Sequence, residues 1–149
     1  MRLYFDVNTI IELVEGPGAS LDRFAGLLAG GRQTGAVVVT SELSLAELLV
    51  KPLRDQDLHL VIGYNSLLAG GTAGQIEAHP VSRDILGRAA RVPNRKPSTK
   101  LPDAIHIATA EHAACDAIIT ADRRWRDATA IQLTDPADFD FATFIEKRR

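Results

Sequence analysis

Four carboxylates in this chain stand where runs of core sequence end, and together they have the chemistry to hold a divalent metal ion. Asp6 closes the apolar run Leu3-Tyr4-Phe5 and opens Asp6-Val7-Asn8-Thr9. Glu47 lies in Thr40-Ser41-Glu42-Leu43-Ser44-Leu45-Ala46-Glu47-Leu48, and Asp103 in Leu101-Pro102-Asp103-Ala104-Ile105-His106-Ile107-Ala108-Thr109-Ala110. Asp122 ends Ile118-Ile119-Thr120-Ala121-Asp122. Gathering acids flanked by apolar sequence is unfavourable unless a positive charge sits between them. Mg²⁺ and Mn²⁺ prefer such oxygen ligands. Asn8, Ser44 and Thr120 have the groups to support the carboxylates by neutral hydrogen bonds, and Ala46, Ala104 and Ala108 leave room nearby.

Each acid alone also has a structural explanation. Aspartate is a favoured helix N-cap, which suits Asp6. Glu47 follows Ser44 at capping-box spacing. Glu42 and Asp103 fall in first helical turns, where the helix dipole favours an anion. Asp122 could cap a turn. The joint pattern, rather than any single acid, points to a metal.

The elements that must position these residues follow from periodicity and breakers. Arg2 to Phe5 reads as a buried strand, followed by a short helix from Asn8 to Glu15 that Gly16-Pro17-Gly18 stops. Leu21, Phe24, Leu27 and Leu28 recur at helical spacing in Ser20 to Ala29, and Gly30-Gly31 is expected to end that helix. Ala36 to Thr40 has no polar face and suits a strand covered on both sides. Ser41 to Val50 reads as helical, closed by Pro52, and Asp55 to Leu68 as a helix with Leu58, Val61, Ile62 and Leu68 inward, ended by Gly70-Gly71. Ile76 to His79 is a weak strand, and Ser82 caps a helix to about Arg91. Val92 to Thr99 is read as a basic loop, and Leu101 to Ala114 as a strong helix with Pro102 where its missing N–H is harmless. Ala117 to Thr120 and Ala130 to Thr134 are further strands, and Phe141 to Lys147 a terminal helix. Alternating strands and helices predict an α/β fold whose mainly parallel sheet carries helices on both faces. Ligands in such folds sit beyond the carboxyl ends of the strands, where Asp6 and Asp122 fall.

At 149 residues the chain is expected to form a single domain over 1–149. Its net charge of −2 argues against a non-specific nucleic-acid binder. From Arg88 to Arg126, however, eight Lys and Arg stand against four acids. Cys115, the single cysteine, excludes an internal disulfide, fits a reducing compartment and reads as a packing residue. No signal peptide or membrane-spanning run is evident, so a cytoplasmic protein is expected.

Taken together, Tyr4-Phe5-Asp6-Val7-Asn8, Thr40-Ser41 followed by Ala46-Glu47-Leu48, the segment from Asp103 to Ala110, and Ile118 to Asp122 resemble the PIN-domain ribonucleases, and within them the VapC-like toxins. The resemblance runs from Leu3 to about Leu133. It implies an α/β/α sandwich, Mg²⁺- or Mn²⁺-dependent cleavage of RNA, a homodimer and a cognate antitoxin. It further implies a catalytic site of Asp6, Glu47, Asp103 and Asp122. Within that site the residues are read with Asp6 and Asp103 on the metal directly, Glu47 and Asp122 binding it through water or positioning the nucleophile, and Asn8 and Thr120 supplying neutral hydrogen bonds behind them. Many relatives have asparagine where this chain has Ala121.

A carboxylate-held ion suits phosphodiester chemistry because it activates water and stabilises the charge developing on phosphorus. Arg95, Lys96 and Lys100 precede the Asp103 helix and Arg123, Arg124 and Arg126 follow Asp122, so both groups are expected to rim the cleft and hold phosphates. Trp125 is read as a hydrophobic contact, with base stacking the alternative. His106, one turn beyond Asp103, is read as a supporting or packing residue, and His59, His79 and His112 are scattered. Two rival functions remain. One is a non-catalytic PIN-like module for RNA or protein. The other is a haloacid-dehalogenase-like phosphatase, which expects a second aspartate where Asn8 stands.

Overall fold

The computed structural model describes residues 1–142. Five strands, β1 (Arg2–Phe5), β2 (Val37–Ser41), β3 (Glu77–His79), β4 (Ala117–Ile119) and β5 (Gln132–Thr134), form one sheet in the order β3-β2-β1-β4-β5. All four pairings are parallel. The chain therefore builds outward from β1 to β3, then returns to lay β4 on the other side of β1. That reversal opens a crevice at the carboxyl ends of β1 and β4, the usual ligand position in such sheets.

Alternation along each strand divides the core. Leu3 and Phe5 face the layer of α1 (Val7–Glu15), α2 (Leu21–Gln33), α3 (Leu43–Arg54) and α4 (Leu58–Leu67), with Ile10, Phe24, Leu48 and Tyr64. Tyr4 and Val39 face the opposite layer of α5 (Arg83–Ala89), α6 (Val92–Arg95) and α7 (Leu101–His112), with Ile85, Ile107 and Ile118. The three-layer α/β/α arrangement follows. Cys115 is buried in this second layer, and desolvation pushes its thiol up to about 12. A packing role fits that environment.

Several boundaries differ from the sequence reading. Helix α2 runs through Gly30-Gly31 to Gln33, and the left-handed residue that ends it is Gly35, at φ 78°. A helical glycine costs about 1 kcal/mol; it is not a stop. Helix α3 likewise passes through Pro52, which is buried, and ends at Arg54. Helix α4 starts at Leu58 because Asp57 caps it through Leu60 N–H at 3.1 Å. Gly63, Tyr64 and Leu67 are its buried residues and Leu68, which follows it, is buried as expected, whereas Leu58 and Ile62 are exposed rather than inward. Val92–Arg95 is a short helix where a loop was expected. The expected terminal helix from Phe141 to Lys147 lies almost wholly outside the described residues; Phe141 itself packs edge-on against Phe5 and Phe24.

Candidate active site

Asp6 follows β1 directly, and the register sets Phe5 beside Ile119. Asp6 and Thr120 are therefore neighbours at the sheet edge. The Thr120 hydroxyl donates to Asp6 Oδ2 at 2.5 Å, and Asp6 Oδ1 accepts from Thr9 N–H at 2.7 Å, capping α1. Asp6 is buried, so both oxygens are fixed while each keeps a lone pair for another partner. The Thr120 oxygen also accepts from Asp122 N–H at 3.0 Å, tying the two acids into one network.

A cleft of about 350 Å³ is lined by Asp6, Asn8, Glu47, Asp103, His106, Asp122, Arg124 and Trp125, among others. It thus brings together the four acids from β1, α3, α7 and the turn after β4. Asp103 sits in the first turn of α7, and among the described residues its carboxylate accepts no hydrogen bond. Glu47 Oε2 lies 3.1 Å from His106 Nε2. Asp122 is gripped by Arg124, whose Nη2 stands 2.5 Å from Oδ2 and whose Nε stands 2.9 Å from Oδ1. That guanidinium holds the Asp122 carboxyl below the usual aspartate range.

Among the described residues no three of His, Cys, Asp and Glu converge closely enough to chelate one ion unaided. The reason lies in the partners: Asp122 is turned toward Arg124 and Glu47 toward His106. Mg²⁺ commonly needs only one or two carboxylates, completing its shell with water and substrate phosphate. Asp6 and Asp103 both line this cleft, and their carboxylate oxygens are the donor chemistry a hard divalent ion takes.

The cations divide. Arg124 lines the acidic cleft. Arg123 and Arg126 line an adjoining cleft of about 460 Å³ that shares Asp122 as a wall. Arg95 donates to Ala128 O and Glu111, and Lys96 to Arg126 O, so both are engaged in holding the fold. Among the described residues Arg91, Lys100, Arg123 and Arg126 make no ion pair.

Other side chains fall elsewhere than expected. Ser44 bonds Thr40 at 2.7 Å and takes no part in a capping box with Glu47. Ala104 and Ala108 are fully buried on the inner face of α7 and do not line the cleft. Trp125 is buried and stacked on His106, with centroids 5.9 Å apart, which removes it as a platform for an unpaired base.

A family model of the PIN domain matches residues 3–131. The chain belongs to the PIN domain family. Solved structures share the fold of this PIN domain at low identity. A chain of a toxin–antitoxin complex from Klebsiella pneumoniae is 20% identical, with a TM-score of 0.58, and covers 92% of this chain and 99% of its own. A chain of VapBC2 from Rickettsia felis, bound to a DNA fragment from its promoter, is 14% identical at a TM-score of 0.64, covering 91% and 98%. A chain of FitAcB from Neisseria gonorrhoeae is 18% identical at 0.61, covering 92% and 99%. Among curated proteins none matches this PIN domain.

Sequence reasoning missed two features of this PIN domain. Arg124, expected from sequence to hold phosphate, also forks onto the Asp122 carboxylate, as its spacing of two from Asp122 allows. Tyr4 lies in a strand that sequence marks only as buried, and the partner that singles it out, His106, is 102 residues away.

Proposed function

We propose that this PIN domain is a Mg²⁺- or Mn²⁺-dependent endoribonuclease that acts as the toxin of a toxin–antitoxin pair. The observation that carries the reading is the convergence of Asp6, Glu47, Asp103 and Asp122 on one cleft at the sheet's topological reversal, in a chain of this family. Asp6 and Asp103 would hold the ion. When bound, the ion supplies positive charge against the phosphodiester and acidifies water. Glu47 and Asp122 orient the attacking water. Asn8, exposed in the cleft, offers a neutral hydrogen bond to water or phosphate, and Thr120 fixes Asp6. Arg124 presents a planar fork that binds phosphate as readily as carboxylate. The unpaired Lys100, Arg123 and Arg126 attract the RNA backbone, with Arg95 and Lys96 shaping the rim they stand on.

An antitoxin and a second copy of the chain complete the assembly in the cytoplasm. The partners in the Klebsiella and Rickettsia complexes support an antitoxin here. So do the exposed Val50, Leu53, Leu58 and Ile62 on α3 and α4, an apolar surface that asks for a cover. Among the described residues no helix is long and apolar enough to cross a membrane.

The test is digestion of purified total cellular RNA by antitoxin-free protein with Mg²⁺ or Mn²⁺, against EDTA. Discrete products that vanish with EDTA are the expected result. Intact RNA beside folded, metal-loaded protein would overturn the reading in favour of a binding module, and turnover of a generic phosphomonoester would favour a phosphatase.

A further inference from the structure

We infer that Tyr4 and His106 are positioning residues for Glu47, joined to it by a buried hydrogen-bond chain that fixes the carboxylate at the cleft. The inference rests on the nuclease reading for its catalytic consequence, but its geometry stands apart from it. The chain begins at the backbone of β2, where Ser41 N–H donates to Tyr4 Oη at 3.2 Å. Tyr4 Oη lies 2.6 Å from His106 Nδ1, and His106 Nε2 lies 3.1 Å from Glu47 Oε2.

The direction of each bond follows from what the end groups permit. A backbone amide only donates, and an ionised carboxylate only accepts. His106 Nε2 therefore carries a proton toward Glu47. In the neutral ring Nδ1 is then a lone pair, and the Tyr4 hydroxyl must donate to it. Every proton has one place, so the tautomer of His106 is set by a residue on β1 and used by a residue on α3.

The surroundings hold the pair still. Tyr4 is fully buried and His106 is 3% exposed. Trp125 stacks over the imidazole at 21° between planes, and Tyr4 meets its edge at 65°. Glu47, by contrast, is an exposed side chain on the outside of α3, with nothing but this bond among the described residues to choose its rotamer. The chain also crosses the sheet edge, since α3 and α7 cover opposite faces. A histidine serving only to fill space would need neither a donor at Nδ1 nor a carboxylate at Nε2. Supporting hydrogen bonds of this kind orient reactive carboxylates and imidazoles in metal sites.

Two measurements on the full chain test it. The first is the ring ¹⁵N spectrum of His106 in metal-free protein, which reports the tautomer without any activity. The Nε2–H form is expected in the wild type, with mixing of tautomers in Tyr4→Phe. An Nδ1–H form in the wild type would overturn the chain whether or not the protein cleaves RNA. The second is steady-state cleavage. His106→Phe keeps the stacking volume but removes both hydrogen bonds, and is expected to lower kcat on the order of 10- to 100-fold with KM roughly unchanged. His106→Gln restores a donor toward Glu47 and is expected to recover much of the loss. Wild-type kcat in a folded His106→Phe protein, with Asp103→Asn inactive, would overturn the positioning role and leave the nuclease reading standing. Cleavage retained in Asp103→Asn would instead sink the assignment of the acidic site, and no cleavage by the wild type would sink the nuclease reading; in either case the ¹⁵N result would still decide the chain.

Discussion

Asp6 and Asp103 are held in different ways, and the difference separates their variants. Asp6 accepts two short hydrogen bonds and caps α1, so Asp6→Asn forfeits its charge-assisted bond from Thr120. A loss of stability of about 1–3 kcal/mol is expected beside the loss of cleavage. Asp103 accepts none among the described residues, so Asp103→Asn is expected to melt at or above the wild-type temperature while equally inactive. Calorimetry of the two variants checks this; a destabilised Asp103→Asn would show that its carboxylate has a structural role. Asp122 tests the electrostatics. The Arg124 guanidinium, the neighbouring backbone N–H and Lys96 outweigh its partial burial and depress its pKa from 3.8. A depressed carboxylate stabilises the fold fully above its unfolded value, and that contribution fades as pH falls through the folded value. NMR titration should therefore place Asp122 below the aspartate norm, and Arg124→Ala should raise it. An unchanged titration in Arg124→Ala would remove the fork as the cause. The acids were legible in the sequence because each follows a recognisable strand or opens a helix. Their partners were not, because Arg124 and His106 gain meaning only once the turn after β4 and helix α7 are folded against them.

At the scale of elements, α1 must be anchored at both ends for Asp6 to be fixed. Its start is capped by Asp6, and its end turns at Gly16, whose N–H donates to Glu12 O at 3.0 Å. A Cβ at Gly16 would stand 2.3 Å from the same backbone oxygen, which cannot move without unwinding the last turn. Gly16→Ala is expected to destabilise the protein by about 1–3 kcal/mol, measured by denaturant unfolding. Wild-type stability would mean that the turn relaxes freely. The strands were readable in sequence because β-branched runs such as Val37-Val38-Val39 have no polar face to mislead. The helix ends were less so. Gly30-Gly31 and Pro52 carry unfavourable local propensity, yet Gly31 and Pro52 are buried, and tertiary packing overrides the local penalty. Helix α4 misled for another reason: it is apolar nearly all round, so periodicity alone could not choose its inward face.

At the scale of the whole molecule, the parallel order β3-β2-β1-β4-β5 is what turns four acids scattered between residues 6 and 122 into one cleft. The same fold leaves Leu58 and Ile62 uncovered on α4. Replacing both with lysine is expected to change stability by no more than about 0.5 kcal/mol while weakening capture of a co-expressed antitoxin. Capture at wild-type affinity would move the antitoxin surface elsewhere. Everything proposed for the cleft depends on Asp6 and Asp103 holding a divalent ion there. Titration of paramagnetic Mn²⁺ into ¹⁵N-labelled protein reads that binding without any substrate. Selective broadening of amides around Asp6, Asp103 and Asp122, lost in Asp103→Asn, is the expected result. Broadening centred elsewhere, or undiminished in that variant, would contradict it.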